Sequence, residues 1–162
     1  MASNLEKALS FKLEAFNFLY VLCDYETLLK KNISLKFFVD LCKKKDVKII
    51  QYRDKISSLQ EQKTNLLYLK SQLNIPIIIN DKIELIEFAD GIHLGQEDLE
   101  KIHKDKKIAV KLVRLKIKDK LLGLSTHNEI EILEDNELEI DMIGLGAKKN
   151  TNTKNNRIFF MS

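Results

Sequence analysis

The chain has 162 residues, 44% of them apolar and 31% charged, and a formal net charge of +3. Those values describe one globular domain over 1–162 with a sizeable core, and they exclude an intrinsically disordered chain. No apolar run reaches bilayer length, and +3 does not call for nucleic acid.

Met1 to Phe16 carries Glu6, Lys7, Lys12 and Glu14 among its apolar residues, so it does not read as a secretory signal. Leu5, Ala8, Leu9, Leu13 and Phe16 recur at helical spacing, which predicts an amphipathic helix over 3–15. Cys23 and Cys42 lack metal-ligand spacing and read as reduced core thiols, which points to the cytoplasm.

Residues 18–23 form a β-type run stopped by Asp24. Residues 28–45 then read as a single helix ending on Lys43 to Lys45, where cations suit the helix dipole. A second strand is expected over 47–54. Ser57 and Ser58 can cap a helix running to about Leu73. Pro76, the single proline, opens a third strand that ends on Asn80 and Asp81. A compact helix over 82–89 leads to a strand over 91–94, and one long basic helix over about 97–113 follows. A strand over 121–125, an acidic helix over 128–138 and a strand over 140–145 complete the regular pattern. Ile158 to Met161 is long enough for one further short strand.

Six β-α steps with short connections call for parallel strands and right-handed crossovers. The strands are mostly apolar, as expected when both faces are covered. An open doubly wound sheet and a TIM-type barrel both fit. In either, ligands bind at the C-terminal strand ends. The five glycines, Gly91, Gly95, Gly123, Gly144 and Gly146, all lie in or beside the last three of the six strands. Residues 101–120 hold nine Lys/Arg against two acids, and residues 129–141 hold seven acids and no base. Without interleaved aromatics, these runs read as solvated faces.

Several strand ends carry chemistry. Gln51, Arg53 and Lys55 alternate. If the strand continues through them they share one side and make an anion clamp, with a surface salt-bridge cluster around Asp54 as the plainer reading. Asp81 and Asp98 are hard oxygen donors suited to Mg²⁺ shared with phosphates, although Asp98 also fits a helix N-cap. Ser125, Thr126 and His127 end the fifth strand, where they can bind substrate, move a proton or cap the next helix. His93 reads as a core histidine and His103 as an exposed one. Thr151, Thr153 and Lys154 offer two hydroxyls and a cation for a phosphate, or else belong to a polar tail.

Five stretches carry a resemblance. They are Gln51-Tyr-Arg-Asp-Lys55, Ile79-Asn-Asp81, Asp90-Gly-Ile-His-Leu-Gly-Gln-Glu-Asp98, Gly123-Leu-Ser-Thr-His127, and Asp141-Met-Ile-Gly-Leu-Gly146 running to Thr151-Asn-Thr-Lys154. In this order and spacing the chain resembles the thiamine phosphate synthase/TenI superfamily, over about residues 18–154. The resemblance implies an α/β fold, a TIM-type (β/α) barrel, incomplete, of about six βα units with an N-terminal helix. It implies coupling of hydroxymethylpyrimidine diphosphate with a thiazole phosphate, giving thiamine phosphate and diphosphate. It assigns Arg53, Lys55, Asn80 and Lys154 to the diphosphate, Asp81 and Asp98 to Mg²⁺, and Gln51, Ser125, Thr151 and Thr153 to substrate contacts. The partners would be small molecules, with neither nucleic acid nor membrane involved.

Two departures stand out against that family. Its barrel has eight strands, with a thiazole-phosphate site on glycine-rich loops after the seventh and eighth, and residues 155–162 contain no glycine. The segment from Asp98 to Arg114 is also longer than usual, and Gly146 to Asn150 lacks the family's aromatic and proline residues. A six-stranded sheet would expose an edge. The expected covers are homodimerisation, the N-terminal helix or Ile158 to Met161. Two other activities compete with the synthase. One is a TenI-type thiazole tautomerase, for which His127 would be the acid/base. The other is a non-catalytic, regulatory binding protein that kept a diphosphate pocket.

Overall fold

The computed structural model describes residues 19–135 and 137–145, together with the backbone of residues 158–161. The helix expected over 3–15, Gly146, and the candidates Thr151, Thr153 and Lys154 lie outside the described residues. The chain divides into two compact units, one spanning 18–93 and the other carrying residues from 94 onward.

The first unit is a parallel sheet in the order β1 (Leu19–Asp24), β2 (Val47–Arg53), β3 (Ile77–Asn80), β4 (Gly91–Leu94). Between β1 and β2 lie two helices, α1 (Tyr25–Lys30) and α2 (Leu35–Lys44), where a single helix is expected from the sequence. The break is local chemistry. Asn32 takes a left-handed conformation (φ 52°), and its N–H and that of Ile33 close back onto the carbonyls of Leu29 and Leu28. This is a glycine-type helix ending that asparagine tolerates. Ser34 then restarts the helix by accepting from Phe37 N at 3.1 Å. α3 (Leu59–Gln72) follows β2 and starts as expected at Ser58, with a reciprocal capping pair to Glu61. The piece after β3 is a 3₁₀ helix (Ile83–Phe88) rather than an α-helix. Asp90 pins it: its carboxylate accepts from Ile77 N at 2.9 Å and pairs with Lys70 of α3.

The sheet core is nearly continuous aliphatic side chain. Ile50, Ile77, Ile78 and Ile92 are fully buried, as are Leu66 and Leu69 of α3. Cys23 and Cys42 are buried free thiols; burial pushes the Cys42 thiol up to about 11 and Cys23 further still, so neither is a ready nucleophile.

In the second unit, the long basic helix is also two. α4 (Gln96–Ile102) ends at His103, and Asp105 caps α5 (Lys106–Ile117) by accepting from Ile108 N. An Asp at that point competes for backbone donors and resets the helix. β5 (Leu121–Thr126), α6 (Glu129–Asp135) and β6 (Met142–Leu145) follow, with β5 and β6 parallel. α6 and β6 are each shorter than expected. Asp141 lies outside β6 because its carboxylate is occupied by Leu122 N and Arg114. The short strand expected at 158–161 is present as β7 (Ile158–Met161), antiparallel to β6. No described helix is long and apolar enough to cross a membrane.

Candidate functional site

Register decides which strand-end side chains share a face. Leu22 pairs with Gln51, Asp24 with Arg53, Gln51 with Ile78, Ile78 with Gly91, and Asn80 with His93. Paired residues in parallel strands point the same way, and alternate residues along a strand share a side. Asp24, Gln51, Arg53, Asn80 and His93 therefore occupy one face of the first unit's sheet. The other face is covered by helices: Tyr52, one residue from Gln51, accepts a hydrogen bond from Asn65 of α3 at 2.9 Å. The polar face is thus the one turned away from the helices.

Gln51 is 1% exposed, and its side-chain nitrogen has no hydrogen-bond partner among the described residues. A buried amide donor left unpaired costs roughly 1–3 kcal/mol, so it points to a ligand group the folded chain does not supply. Arg53, two residues on, pairs with Asp24. Burial alone would raise the Asp24 carboxyl. Hydrogen bonds from Thr27 outweigh it, with help from Arg53, and hold it below the usual carboxylate range. β2 stops at Arg53, so the strand does not continue through Lys55, which is exposed on the turn that follows.

Asp54 explains that turn, and it is not part of a surface salt-bridge cluster. It is 4% exposed and accepts from Ile56 N and Ser57 N, both at 3.0 Å, and from Tyr52 Oη at 2.8 Å. Burial pushes its carboxyl up, but these donors win and lower it. The same burial raises the Tyr52 phenol well above its ordinary value. The sequence pattern gave no sign that Asp24 and Asp54 would anchor the clamp; only register and burial reveal it.

Asn80 ends β3 and is 9% exposed. Asp81 follows in a left-handed conformation, φ 64°, with its N–H bonded to His93 O at 3.0 Å. Aspartate, like the asparagine at position 32, enters this region more readily than other non-glycine residues. His93 is buried at 1%, as a core histidine should be.

In the second unit, Thr126 donates to Asp135 of α6 at 2.9 Å, so it faces the helix and Ser125 faces the opposite side of β5. Ser125 is buried, and its carbonyl accepts from Gln96 of α4 at 2.7 Å. Asp135, fully buried, also pairs with Lys106 at the start of α5. Asp98 is not the N-cap of α4. Gly95 holds that place, and Asp98 in the first turn accepts from Gly95 N at 3.2 Å and from Lys101 at 2.9 Å. A Cβ at Gly95 would sit 3.1 Å from the Asp98 carboxylate, so glycine permits that approach. His127 is 59% exposed, with its ring and its N–H both on Glu131. His103 is exposed and accepts from Asp105 N.

No group of three or more metal-ligating residues clusters among the described residues. Asp81, directly after β3, and Asp98, in the first turn of α4, are each a single hard-oxygen donor within its own unit. One or two carboxylates plus water and substrate phosphate are what Mg²⁺ accepts.

A family model described as thiamine monophosphate synthase matches residues 19–160. The thiamine-phosphate synthase of Persephonella marina is 33% identical over 116 residues, which is 68% of this chain and 52% of that protein. Thiamine-phosphate synthase 1 of Streptococcus pneumoniae strain R6 is 33% identical over 144 residues, 84% of this chain and 64% of that protein. The solved structure of a thiamine phosphate pyrophosphorylase from Pyrococcus furiosus superposes with a TM-score of 0.65 at 20% identity, covering 85% of this chain and 63% of that one. The chain thus spans about half to two thirds of the length of the relatives it matches. The structural likeness shows the fold, an α/β TIM-type barrel represented in part.

Proposed function

This chain belongs to the thiamine monophosphate synthase family, and we propose that it carries out the coupling of hydroxymethylpyrimidine diphosphate with a thiazole phosphate. The observation that carries the reading is the Gln51 amide, buried without a partner among the described residues and two positions from Arg53 on the same strand face. In the proposed reaction the bond from the pyrimidine's methylene carbon to the diphosphate oxygen breaks, and diphosphate leaves with the electron pair. The thiazole nitrogen then donates its lone pair to that carbon, closing the carbon–nitrogen bond of thiamine phosphate. No side chain needs to bond covalently to substrate, so positioning and charge stabilisation supply the rate.

Arg53 gives a fork of donors to the diphosphate, and Lys55 and Lys154 give point charges. Asn80 is a further diphosphate donor. Gln51, Ser125, Thr151 and Thr153 orient the substrates. Asp81 and Asp98 are the proposed holders of Mg²⁺. That ion, when bound, would offset the charge growing on the departing diphosphate. The hard-oxygen character of both residues supports this assignment.

We further propose a cytoplasmic protein acting on small molecules, with no nucleic-acid or membrane partner, and a homodimer as one way to cover a sheet edge. A tautomerase would have no diphosphate to hold, so the synthase is the better match to the clamp on β2.

The test is thiamine phosphate formation by the purified chain with both substrates and Mg²⁺. Asp81→Ala is expected to lower kcat/KM by about 100-fold or more. Absence of turnover with the pyrimidine diphosphate still bound would favour the binding protein. Turnover of a thiazole tautomer that depends on His127 would favour the tautomerase. Absence of both turnover and binding would remove the proposal.

A further inference from the structure

Asp24 closes β1 and lies in register with Arg53 of β2. Its two oxygens have separate tasks. Oδ1 accepts from Thr27 N at 2.9 Å and caps α1, and Oδ2 accepts from the Arg53 guanidinium. The next residue, Tyr25, packs its ring on Tyr52, with centroids 6.1 Å apart and planes tilted by 49°. Tyr52 in turn donates to Asp54, the anchor of the turn that carries Lys55. The carboxylate is therefore fixed by a helix cap and by its neighbour's packing before any ligand arrives. Asp24 and Arg53 are both largely covered, with side chains 21% and 28% exposed.

A guanidinium has five N–H donors in a rigid fork. Asp24 takes one, and no other side-chain hydrogen bond of Arg53 occurs among the described residues. A long arginine left to itself samples many rotamers, and ordering it costs binding free energy when the ligand arrives. An arginine ordered at folding has already lost that freedom. We propose that Asp24 is a positioning residue: it holds the Arg53 guanidinium so that the remaining donors stand beside the Gln51 amide, ready for a diphosphate. This inference rests on the diphosphate reading of that clamp. It also carries a physical tension, since a carboxylate so near would repel a polyanion if its charge were not spent on Arg53. The sign of the effect of neutralising it is therefore decisive.

The experiment is calorimetric titration of inorganic diphosphate with Mg²⁺ into the full chain. Asn caps a helix as well as Asp, so Asp24→Asn keeps α1 with its one oxygen and replaces the charged acceptor of Arg53 with a neutral amide nitrogen. Its melting temperature is expected within a few degrees of the parent, while diphosphate affinity falls about tenfold. In the Arg53→Lys background, where the fork is already gone, the same change is expected to alter affinity less than about twofold. Unchanged or tighter binding by Asp24→Asn would overturn the inference. So would an equal loss in both backgrounds, or a large drop in melting temperature, since either would mark a merely structural role. A parent chain that binds no Mg-diphosphate would overturn the site reading as well, whereas the other outcomes leave that reading standing.

Discussion

The strand ends of residues 18–93 and those of residues 94–145 carry similar polar residues and use them differently. In the second stretch the polar groups are largely consumed by the fold. Gln96 ties α4 to the end of β5, Thr126 and Lys106 meet on Asp135, and His127 is held by Glu131. In the first, Asp24 and Asp54 are spent on local structure, but the groups they frame are not. Among the described residues, Gln51 is buried with its amide nitrogen unpartnered, and Arg53 keeps most of its donors. A folded chain gains nothing from an unpaired buried donor, so its retention separates a binding surface from a packed one.

The largest expected effect tests the packed side of this contrast. Asp135 is fully buried and satisfies both Thr126 and Lys106. Asp135→Ala would leave a mostly covered ammonium and a hydroxyl without their acceptor. Breaking a buried pair from one side costs about 3 kcal/mol. Urea unfolding of the variant should lose about that amount. A loss under about 1 kcal/mol would mean that water serves Lys106 and that the second region is less tightly committed than its hydrogen bonds imply.

This division explains how far the sequence could be read. The β-α order, the capping serine before α3 and the strand at 158–161 follow from period and local chemistry, and all are present. The helix breaks at Asn32 and at His103–Asp105 were hidden, because both lie inside apolar patterns that continue across them. Arg53 was legible as a candidate from its spacing to Gln51. Its partner Asp24 was not, because a contact 29 residues away depends on strand register rather than on spacing. Whether the strand continues through Lys55 is not legible, because nothing in Arg-Asp-Lys announces that Asp54 turns inward and ends it.

A second, smaller effect concerns the two carboxylates that frame the clamp. The Asp24 and Asp54 carboxyls both lie below their ordinary values, because the donors around them outweigh burial. A carboxyl depressed in the folded state stabilises the fold above its unfolded value, near pH 4. That stabilisation is lost as the pH falls through the folded value. Urea midpoints should therefore hold steady above about pH 5 and decline below about pH 4. The decline should be shallower in Asp24→Asn, which has removed one of the two groups. An identical acid profile in parent and variant would show that Asp24 adds nothing to acid sensitivity.

The smallest expected effect on stability is the most informative about function. Gln51→Met replaces an unpartnered buried amide with an apolar side chain of similar length on the face shared with Arg53 and Asn80. Replacing an unsatisfied polar group with an apolar one of similar shape is close to neutral or stabilising, so unfolding free energy should stay within about 1 kcal/mol of the parent or rise. A thioether cannot donate, so binding of the pyrimidine diphosphate should weaken by about tenfold or more. Stability and binding would then move in opposite directions from one substitution, as expected where a site is maintained against the preference of the fold. If the variant instead unfolds several kcal/mol earlier, the Gln51 amide is part of the packing, and the first region is no more open to a ligand than the second.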